Sequence, residues 1–287
     1  MTFTKATRNE SSIKLAITGP SGSGKTYSAL RLARGLVGAA GRIAVIDTEY
    51  GSAKLYSDLT EFFHLDLQPP FDYTKFTNGI TEAEKAGFDA VIIDSASHLW
   101  QGVLDYKDSL DRKGGNSFTN WNQAGKQLND TIQAILQSRL HVIACLRVKQ
   151  EYVLQTETNA RGKEVQVPKK IGLAPVMRDG IDYEFTTMFE IGMDHFCTPS
   201  KDRTGLFIDR TFQVTEQTGE QIALWLAGKP VNQEPADSTE SFLKMIHDAD
   251  SRDALNKIGL KIKESRLPEK ERDIIRNVYR ERSNSLA

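Results

Sequence analysis

One segment near the start of the chain has the residue types and spacing of a phosphate-binding loop. It fits the pattern of a glycine, four variable residues, a second glycine, a lysine and a hydroxyl residue, and consists of Gly19, Pro20, Ser21, Gly22, Ser23, Gly24, Lys25 and Thr26. In such loops backbone N–H groups surround the phosphates, the lysine neutralises the β- and γ-phosphates, and the hydroxyl binds Mg²⁺. The segment therefore predicts a site for ATP with Mg²⁺. The alternative is a glycine-rich turn without a ligand.

Two acidic residues follow short apolar segments downstream of the loop. The segment 90–93 ends at Asp94, and a carboxylate at this place is predicted to hold Mg²⁺ through water. The segment 43–46 leads through Asp47 to Glu49, which is predicted to polarise the water that attacks the γ-phosphate. Asp47 is the alternative for that role, but it lies nearer the strand, where a structural role is favoured.

The residues on either side of the loop predict the elements that would position it. An apolar run at 13–17 is typical of a buried strand, and apolar residues after the loop recur at helical spacing. These residues are Leu30, Leu32, Ala33 and Leu36. A helix that begins at the loop adds the positive end of its dipole to the phosphate site.

Other apolar runs alternate with helical patterns along the chain. They occupy 43–46, 90–93 and 142–146, and a helix is predicted at 73–86. Near-continuous apolar strands that alternate with helices indicate a parallel sheet covered on both faces. The predicted fold class is therefore α/β with a mostly parallel central sheet. The polar segment 102–120 is predicted to be a mobile loop.

A basic segment follows the apolar run at 142–146. Its predicted contacts to a polynucleotide are Arg147, Lys149, Tyr152, Arg161, Lys163, Lys169 and Lys170. A basic hairpin that leaves the ligand edge of a sheet could line a groove for a phosphate backbone, with 107–120 as a second wall. A solvated surface hairpin is an equally good interpretation of the composition.

Composition limits the classes of protein that the chain can represent. The 37 basic and 38 acidic residues give a net charge of −1, which excludes a uniformly basic nucleic-acid coat. Cys145 and Cys197 stand far apart, which argues against a disulfide framework and favours a reducing compartment. No secretory signal, membrane-spanning run or histidine spacing typical of a metal site is visible.

The expected organisation is an N-terminal arm (1–12), an α/β core (13–230), a polar linker (231–240) and a helical C-terminal appendage (241–287). The appendage has apolar residues at helical spacing but fewer than about fifty residues, which hardly suffice for an independent core. It is therefore expected to dock on the core or on a partner.

Three segments of the core resemble the RecA-type ATPases. Segment 46–49 is similar to the segment that supplies their catalytic glutamate, 91–95 to their metal-binding strand, and 146–149 to the strand that enters their second DNA-binding loop. The resemblance implies a RecA-like ATPase core in which Glu49 is catalytic. The sequence departs from the family at Cys145, where the family has a glutamine that senses the γ-phosphate.

The segment 201–205 resembles a Lys-Asn-Arg-Phe-Gly motif of the RadA and DnaB branch. In those proteins the lysine and arginine reach the ATP of the neighbouring subunit. The resemblance therefore implies that Lys201 and Arg203 complete a neighbour's site in a ring or filament. On a strand the two cations would share one face, and an exposed basic turn is the alternative.

The layout as a whole resembles phage-encoded RecA-like ATPases of the single-strand annealing and recombination group. This implies an ATPase that acts on single-stranded DNA in phage recombination or replication, in the cytoplasm of a bacterial host. A phage single-strand DNA-binding or recombination protein is a further expected partner, and no membrane is expected. Two alternatives stay open: a nucleotide-switched adaptor that recruits a partner through its tail, and a small-molecule phosphotransferase.

Overall fold

The computed structural model describes residues 5–8, 11–158, 164–231, 239–265, 267 and 269–285. The chain folds into two compact units. The first consists of Met1–Leu206 and Gln213–Val231, and the second of Phe207–Phe212 and Asn232–Ala287. Most of the predicted linker and half of the predicted N-terminal arm lie outside the described residues.

The first unit contains a sheet and helices that alternate with its strands. Its strands are β1 (Lys14–Gly19), β2 (Ile43–Asp47), β3 (Phe63–Asp66), β4 (Ala90–Asp94), β5 (His141–Thr158), β6 (Glu164–Pro175), β7 (Thr187–Ile191) and β8 (Cys197–Asp202). Its α-helices are α1 (Lys25–Val37), α2 (Tyr73–Lys85), α3 (Ser97–Lys113), α4 (Ser117–Gln137) and α5 (Glu216–Leu226).

The strands are arranged in the order β3-β2-β4-β5-β1-β7-β8, and β6 pairs with β5. The pairs from β3 through β7 are parallel, whereas β8 is antiparallel to β7 and β6 to β5. The predicted α/β class with a mostly parallel sheet is thus confirmed. Because β1, β2, β4 and β5 are parallel, their carboxyl ends meet at one edge, where open sheets bind ligands.

The apolar runs that were predicted to be strands are buried along their whole length in β1, β2 and β4. Helix α2 agrees with the helix predicted at 73–86. Its N-cap, Asp72, accepts a hydrogen bond from the backbone N–H of Thr74, which explains why the helix begins there.

The predicted mobile loop at 102–120 is wrong. Helix α3 continues to Lys113, and α4 begins at Ser117 after Asn116 has capped it through the backbone N–H of Phe118. Gly114 and Gly115 have positive φ angles and make the sharp connection between the two helices. Polar side chains on the exposed outer face of α3 conceal the helical period from sequence reasoning.

Helices α1 and α5 pack so closely that a side chain cannot fit between them. A Cβ on Gly35 would overlap the carbonyl oxygen of Glu216, and a Cβ on Gly219 would overlap that of Leu32. The two glycines therefore set the distance between the helix that follows the phosphate-binding loop and the last helix of the unit.

We expect Gly35→Ala to lower the free energy of unfolding of the first unit by about 1–3 kcal/mol, the usual cost of overpacking. Urea unfolding followed by tryptophan fluorescence would measure it, since Trp100, Trp121 and Trp225 all lie in this unit. The control is Gly125→Ala in α4, where an added Cβ meets open space and helix propensity should raise stability slightly. Equal effects of the two substitutions would contradict the packing argument.

The second unit contains helices α6 (Thr239–Asp248), α7 (Arg252–Glu264) and α8 (Glu269–Ser285). They share an apolar core of their own, formed by Phe242, Ile246, Ala249, Leu255, Ile262, Leu267 and Ile275. Among the helices that the structure describes, none has the length and apolar character needed to cross a membrane.

Candidate active site

The predicted phosphate-binding loop connects the end of β1 to the start of α1. Gly22 and Gly24 have φ angles of 81° and 91°, which residues with a side chain rarely adopt. A Cβ on Gly19 would approach the carbonyl oxygen of Ile191 to 2.6 Å. The loop therefore needs glycine at all three positions, two of which are fixed by the motif.

Lys25 is buried and points back over the loop. Its ammonium group donates a hydrogen bond to the carbonyl oxygen of Pro20 at 2.9 Å. In the same loop the Ser23 hydroxyl is buried and has no hydrogen-bond partner in the part of the chain that is described. The Lys25 cation thus donates to a neutral oxygen, and the Ser23 hydroxyl beside it has no acceptor among the described residues. A phosphate oxygen would bind both groups.

The Thr26 hydroxyl donates a hydrogen bond to the Asp94 carboxylate at 2.5 Å. Asp94 is only 2% exposed. The pKa of its carboxyl is raised to about 6, chiefly because the group is buried. The negative charges of Glu49 and Asp47 also raise this pKa, whereas the hydrogen bond from Thr26 and the charge of Lys25 lower it. A buried carboxylate beside a hydroxyl, with a surplus of negative charge around it, is a site that favours a cation.

The oxygen donors at this position suit Mg²⁺. Within the described ranges there is no group of three His, Cys, Asp or Glu side chains that could hold a metal. A dedicated protein cage is not required, because Mg²⁺ usually keeps several waters and is shared between one or two side chains and the phosphates. Thr26 and Asp94 are the side chains that would hold the ion.

Asp47 and Asp94 lie opposite each other in the register of β2 and β4. The Asp47 carboxylate is fully buried and accepts hydrogen bonds from the backbone N–H groups of Glu49 at 2.6 Å and Ala53 at 3.0 Å. The Nε2 atom of His64 lies 3.1 Å from it. Asp47 thus stabilises the turn that follows β2, and of the two acidic residues at the end of β2 it is Glu49 that lines the cavity.

A cavity of about 910 Å³ joins these predicted residues. Lys25, Thr26, Glu49 and Asp94 all line it. Its size is that of a site for a small molecule or cofactor. The structure thus brings four predicted site residues from three separate segments to one place.

Several lining residues were missed by sequence reasoning. They are Tyr27, Arg31, Leu55, Tyr56, Val148, His195, Gln213 and Val214. Tyr27 and Arg31 follow the loop at helical spacing, so the periodicity of α1 could have indicated them. Tyr27 packs edge to face on Tyr56 with ring centres 6.1 Å apart, and Arg31 forms hydrogen bonds to both carboxylate oxygens of Glu216.

His195 reaches the loop from the turn between β7 and β8. Its φ angle of 66° lies in the left-handed region, and its Nδ1 atom donates to the carbonyl oxygen of Ser23 at 3.0 Å. Only the pairing of β7 with β1 brings this turn beside the phosphate-binding loop. No local signal in the sequence could have identified it.

Residues 11–221 match the AAA_24 family model, which is described as an AAA domain. The chain belongs to this family of AAA domains. The match spans the phosphate-binding loop, both predicted catalytic and metal-binding carboxylates, and every strand of the sheet, so the core is an AAA-type P-loop ATPase domain.

The other comparisons add little about function. No curated protein matches the chain. Among solved structures, the KaiC-like protein PH0186 from the hyperthermophilic archaeon Pyrococcus horikoshii OT3 is similar, with 14% sequence identity and a TM-score of 0.38 over 67% of this chain and 79% of that chain. At that identity and TM-score the likeness supports no conclusion about this chain.

Lys201 and Arg203 of this AAA domain are not among the residues that line its cavity. They lie at the end of β8, on the edge of the sheet. The Lys201 ammonium donates to the carbonyl oxygen of Asp182, and Arg203 donates to that of Tyr183 at 3.5 Å. Burial, and then the nearby charge of Arg203, lower the pKa of Lys201. The structure thus brings the two cations together, and their action on a neighbouring subunit stays a prediction.

The predicted basic hairpin of the AAA domain is formed by β5 and β6. In its register Tyr152 lies opposite Lys170, and Lys169 lies opposite Val153. Arg161 and Lys163 lie outside the described residues. Lys149 is exposed, whereas Arg147, predicted to contact DNA, lines the nucleotide cavity.

Proposed function

We propose that the protein hydrolyses ATP with Mg²⁺ and couples this reaction to single-stranded DNA in phage recombination or replication, in the cytoplasm of a bacterial host. The observation that carries the proposal is the convergence of Lys25, Thr26, Glu49 and Asp94 on one cavity. Binding alone would need the loop and the metal site, but a further carboxylate at the γ-phosphate end is what hydrolysis requires.

Each residue has a distinct role in this reaction. Lys25 and the N-terminus of α1 bind the phosphates and offset the charge that develops on them. Mg²⁺, held by Thr26 and Asp94, would supply further neutralisation of the phosphate charge. Glu49 accepts the proton of the attacking water, whose oxygen bonds to the γ-phosphorus. The bond to the bridging oxygen breaks, and ADP leaves with that electron pair.

The hairpin supports an involvement of DNA. It continues β5 directly from the edge of the sheet where the cavity lies, and it begins with Arg147 and Lys149 on the same face. A phosphate backbone bound there would lie next to the nucleotide. A ring or filament, in which Lys201 and Arg203 serve the neighbouring site, and a single-strand DNA-binding or recombination partner belong to the same proposal.

The test compares hydrolysis with and without oligo-dT, together with the mass in solution. We expect oligo-dT to be retained, to raise the hydrolysis rate, and to lose affinity by at least about tenfold between 50 and 200 mM salt, as phosphate contacts require. No salt-dependent retention, with or without ATP, would refute the DNA part and leave the ATPase assignment standing.

One observation favours the adaptor as a second candidate function. The second unit has a core of its own and a groove of about 520 Å³, which is lined in part by the exposed Leu260. An adaptor would hydrolyse ATP slowly at a rate that DNA leaves unchanged, and it would lose a partner when residues 241–287 are removed.

A further inference from the structure

The ion pair between Arg147 and Glu49 connects the hairpin to the site of hydrolysis. We infer that this pair is a latch: without DNA, Arg147 engages the carboxylate that activates water, and a phosphodiester backbone on the hairpin draws Arg147 away and releases it. The inference rests on the proposed function and names how that site is regulated.

The geometry of the pair occupies one oxygen of Glu49. Both Nε and Nη2 of Arg147 lie 3.0 Å from Oε1. An oxygen that already accepts two charge-assisted hydrogen bonds has no lone pair left with which to orient an attacking water. The ion pair therefore keeps the Glu49 carboxylate from acting on water.

The pair can also be exchanged. The Arg147 side chain is 48% exposed and that of Glu49 is 30% exposed, so water and other anions reach both partners. Ion pairs with this exposure are weak. Arginine binds phosphate as readily as carboxylate, through the same planar set of donors. A backbone phosphate is therefore a direct competitor of Glu49.

The backbone of Arg147 is fixed from both sides, so only its side chain is free to move between the two anions. Arg147 lies opposite Gly19 in the register of β1 and β5, and its N–H donates to the Ser97 hydroxyl at 2.9 Å. Its carbonyl oxygen accepts from the N–H of Val176 at 2.7 Å, and the next residue begins the pairing with β6. Arg147 is thus the residue at which sheet, loop and hairpin meet.

The first test measures hydrolysis of the full chain without DNA. We expect Arg147→Gln to raise this rate about two- to fivefold, the range that an exposed ion pair allows, and to abolish the stimulation by oligo-dT. The matched control is Arg178→Gln, because Arg178 pairs with Glu184 at 3.6 Å with side chains 36% and 32% exposed and lies outside the cavity lining. The control should behave like the wild type. An unchanged or lower rate in Arg147→Gln would overturn the latch, since Arg147 would then be neutral or would assist Glu49.

The second test does not depend on hydrolysis. Because coupling between two sites is reciprocal, removing the charge of Glu49 should release Arg147 for DNA. We expect Glu49→Gln to bind fluorescent oligo-dT about two- to fivefold more tightly than the wild type without nucleotide. Glu184→Gln should not do so, and Glu49→Gln combined with Arg147→Gln should lose the gain. Equal affinities for Glu49→Gln and the wild type would overturn the latch.

The two tests separate the latch from the proposed function. If the wild type retains no oligo-dT, the DNA proposal fails and the latch is decided by the DNA-free rate of Arg147→Gln. If the wild type hydrolyses no ATP, the ATPase proposal fails and the latch is decided by the affinity of Glu49→Gln for oligo-dT. If both activities are absent, the latch is refuted with them.

Discussion

Lys25→Ala is expected to lower the rate of ATP hydrolysis by about a hundred- to a thousandfold, the usual loss when one preorganised charge at a developing anion is removed. Lys25 is the buried cation of the phosphate-binding loop, and its ammonium group lies 2.9 Å from the Pro20 carbonyl oxygen. A bound triphosphate would take over that contact. When the Lys25 ammonium group is removed, only Mg²⁺ and the backbone N–H groups of the loop offset the phosphate charge.

The measurement is phosphate release with and without Mg²⁺, beside the affinity for a fluorescent ATP analogue. The control is Lys85→Ala, because Lys85 is 67% exposed and pairs with Glu82 on the surface of α2. Both variants should unfold at nearly the temperature of the wild type, since Lys25 bonds a neutral carbonyl oxygen and Lys85 an exposed carboxylate. Full Mg²⁺-dependent hydrolysis in Lys25→Ala would refute the site assignment, and with it the roles of Thr26 and Asp94.

The site residues that could be predicted from the sequence are those that belong to a short local pattern. The phosphate-binding loop has a fixed spacing, and Glu49 and Asp94 each follow an apolar strand. A parallel sheet then brings such strand ends together without further information. The sequence also favoured Glu49 over Asp47 as the catalytic carboxylate, because Asp47 lies nearer the strand. In the structure the Asp47 carboxylate accepts hydrogen bonds from the backbone N–H groups of Glu49 and Ala53, whereas Glu49 lines the cavity.

The residues that were missed depend on tertiary structure. His195 reaches the loop only because β7 pairs with β1, and Gln213 and Val214 return to the cavity just before α5. Arg147 was identified, but as a contact to DNA. The sequence shows the positive charge of Arg147 but not that Glu49 is its partner. The direction of the Arg147 side chain depends on how β5 passes from the sheet into the hairpin.

The segment 102–120 was predicted wrongly for a different reason. A helix that covers a sheet buries a narrow stripe, and in α3 only Ser97, Leu99 and Val103 are fully buried. The remaining positions are mostly polar, so the apolar period is too sparse to distinguish the helix from a loop. The two glycines that connect α3 to α4 then strengthened the appearance of a loop.

Asp94→Asn is expected to make the first unit more stable while it abolishes Mg²⁺-dependent hydrolysis. The pKa of Asp94 is raised from 3.8 to about 6, chiefly because the carboxylate is buried. At neutral pH the folded protein therefore carries a buried charge that disfavours folding by up to about 3 kcal/mol. Asparagine retains the shape without the charge, so the free energy of unfolding should rise by about 1–3 kcal/mol, and the unfolding temperature by roughly 2–4 °C for each kcal/mol.

The pH dependence distinguishes this cause from a packing effect. A group whose pKa is higher in the folded state contributes its full stability below the unfolded pKa, and this contribution is lost as the pH rises through the folded pKa. The gain from Asp94→Asn should therefore be absent near pH 4 and grow until the pH exceeds about 6. Urea unfolding of both proteins across this range measures it.

Asp47→Asn is the matched control, because Asp47 is the buried carboxylate opposite Asp94 in the next strand. Its charge is compensated by two backbone N–H donors and by His64, so the substitution should lower the free energy of unfolding by about 1–3 kcal/mol. If Asp94→Asn raises the free energy of unfolding and Asp47→Asn lowers it, Asp94 is the carboxylate that destabilises the fold and is retained to bind a cation. A loss of stability in Asp94→Asn would instead show that its carboxylate, like that of Asp47, is a structural acceptor.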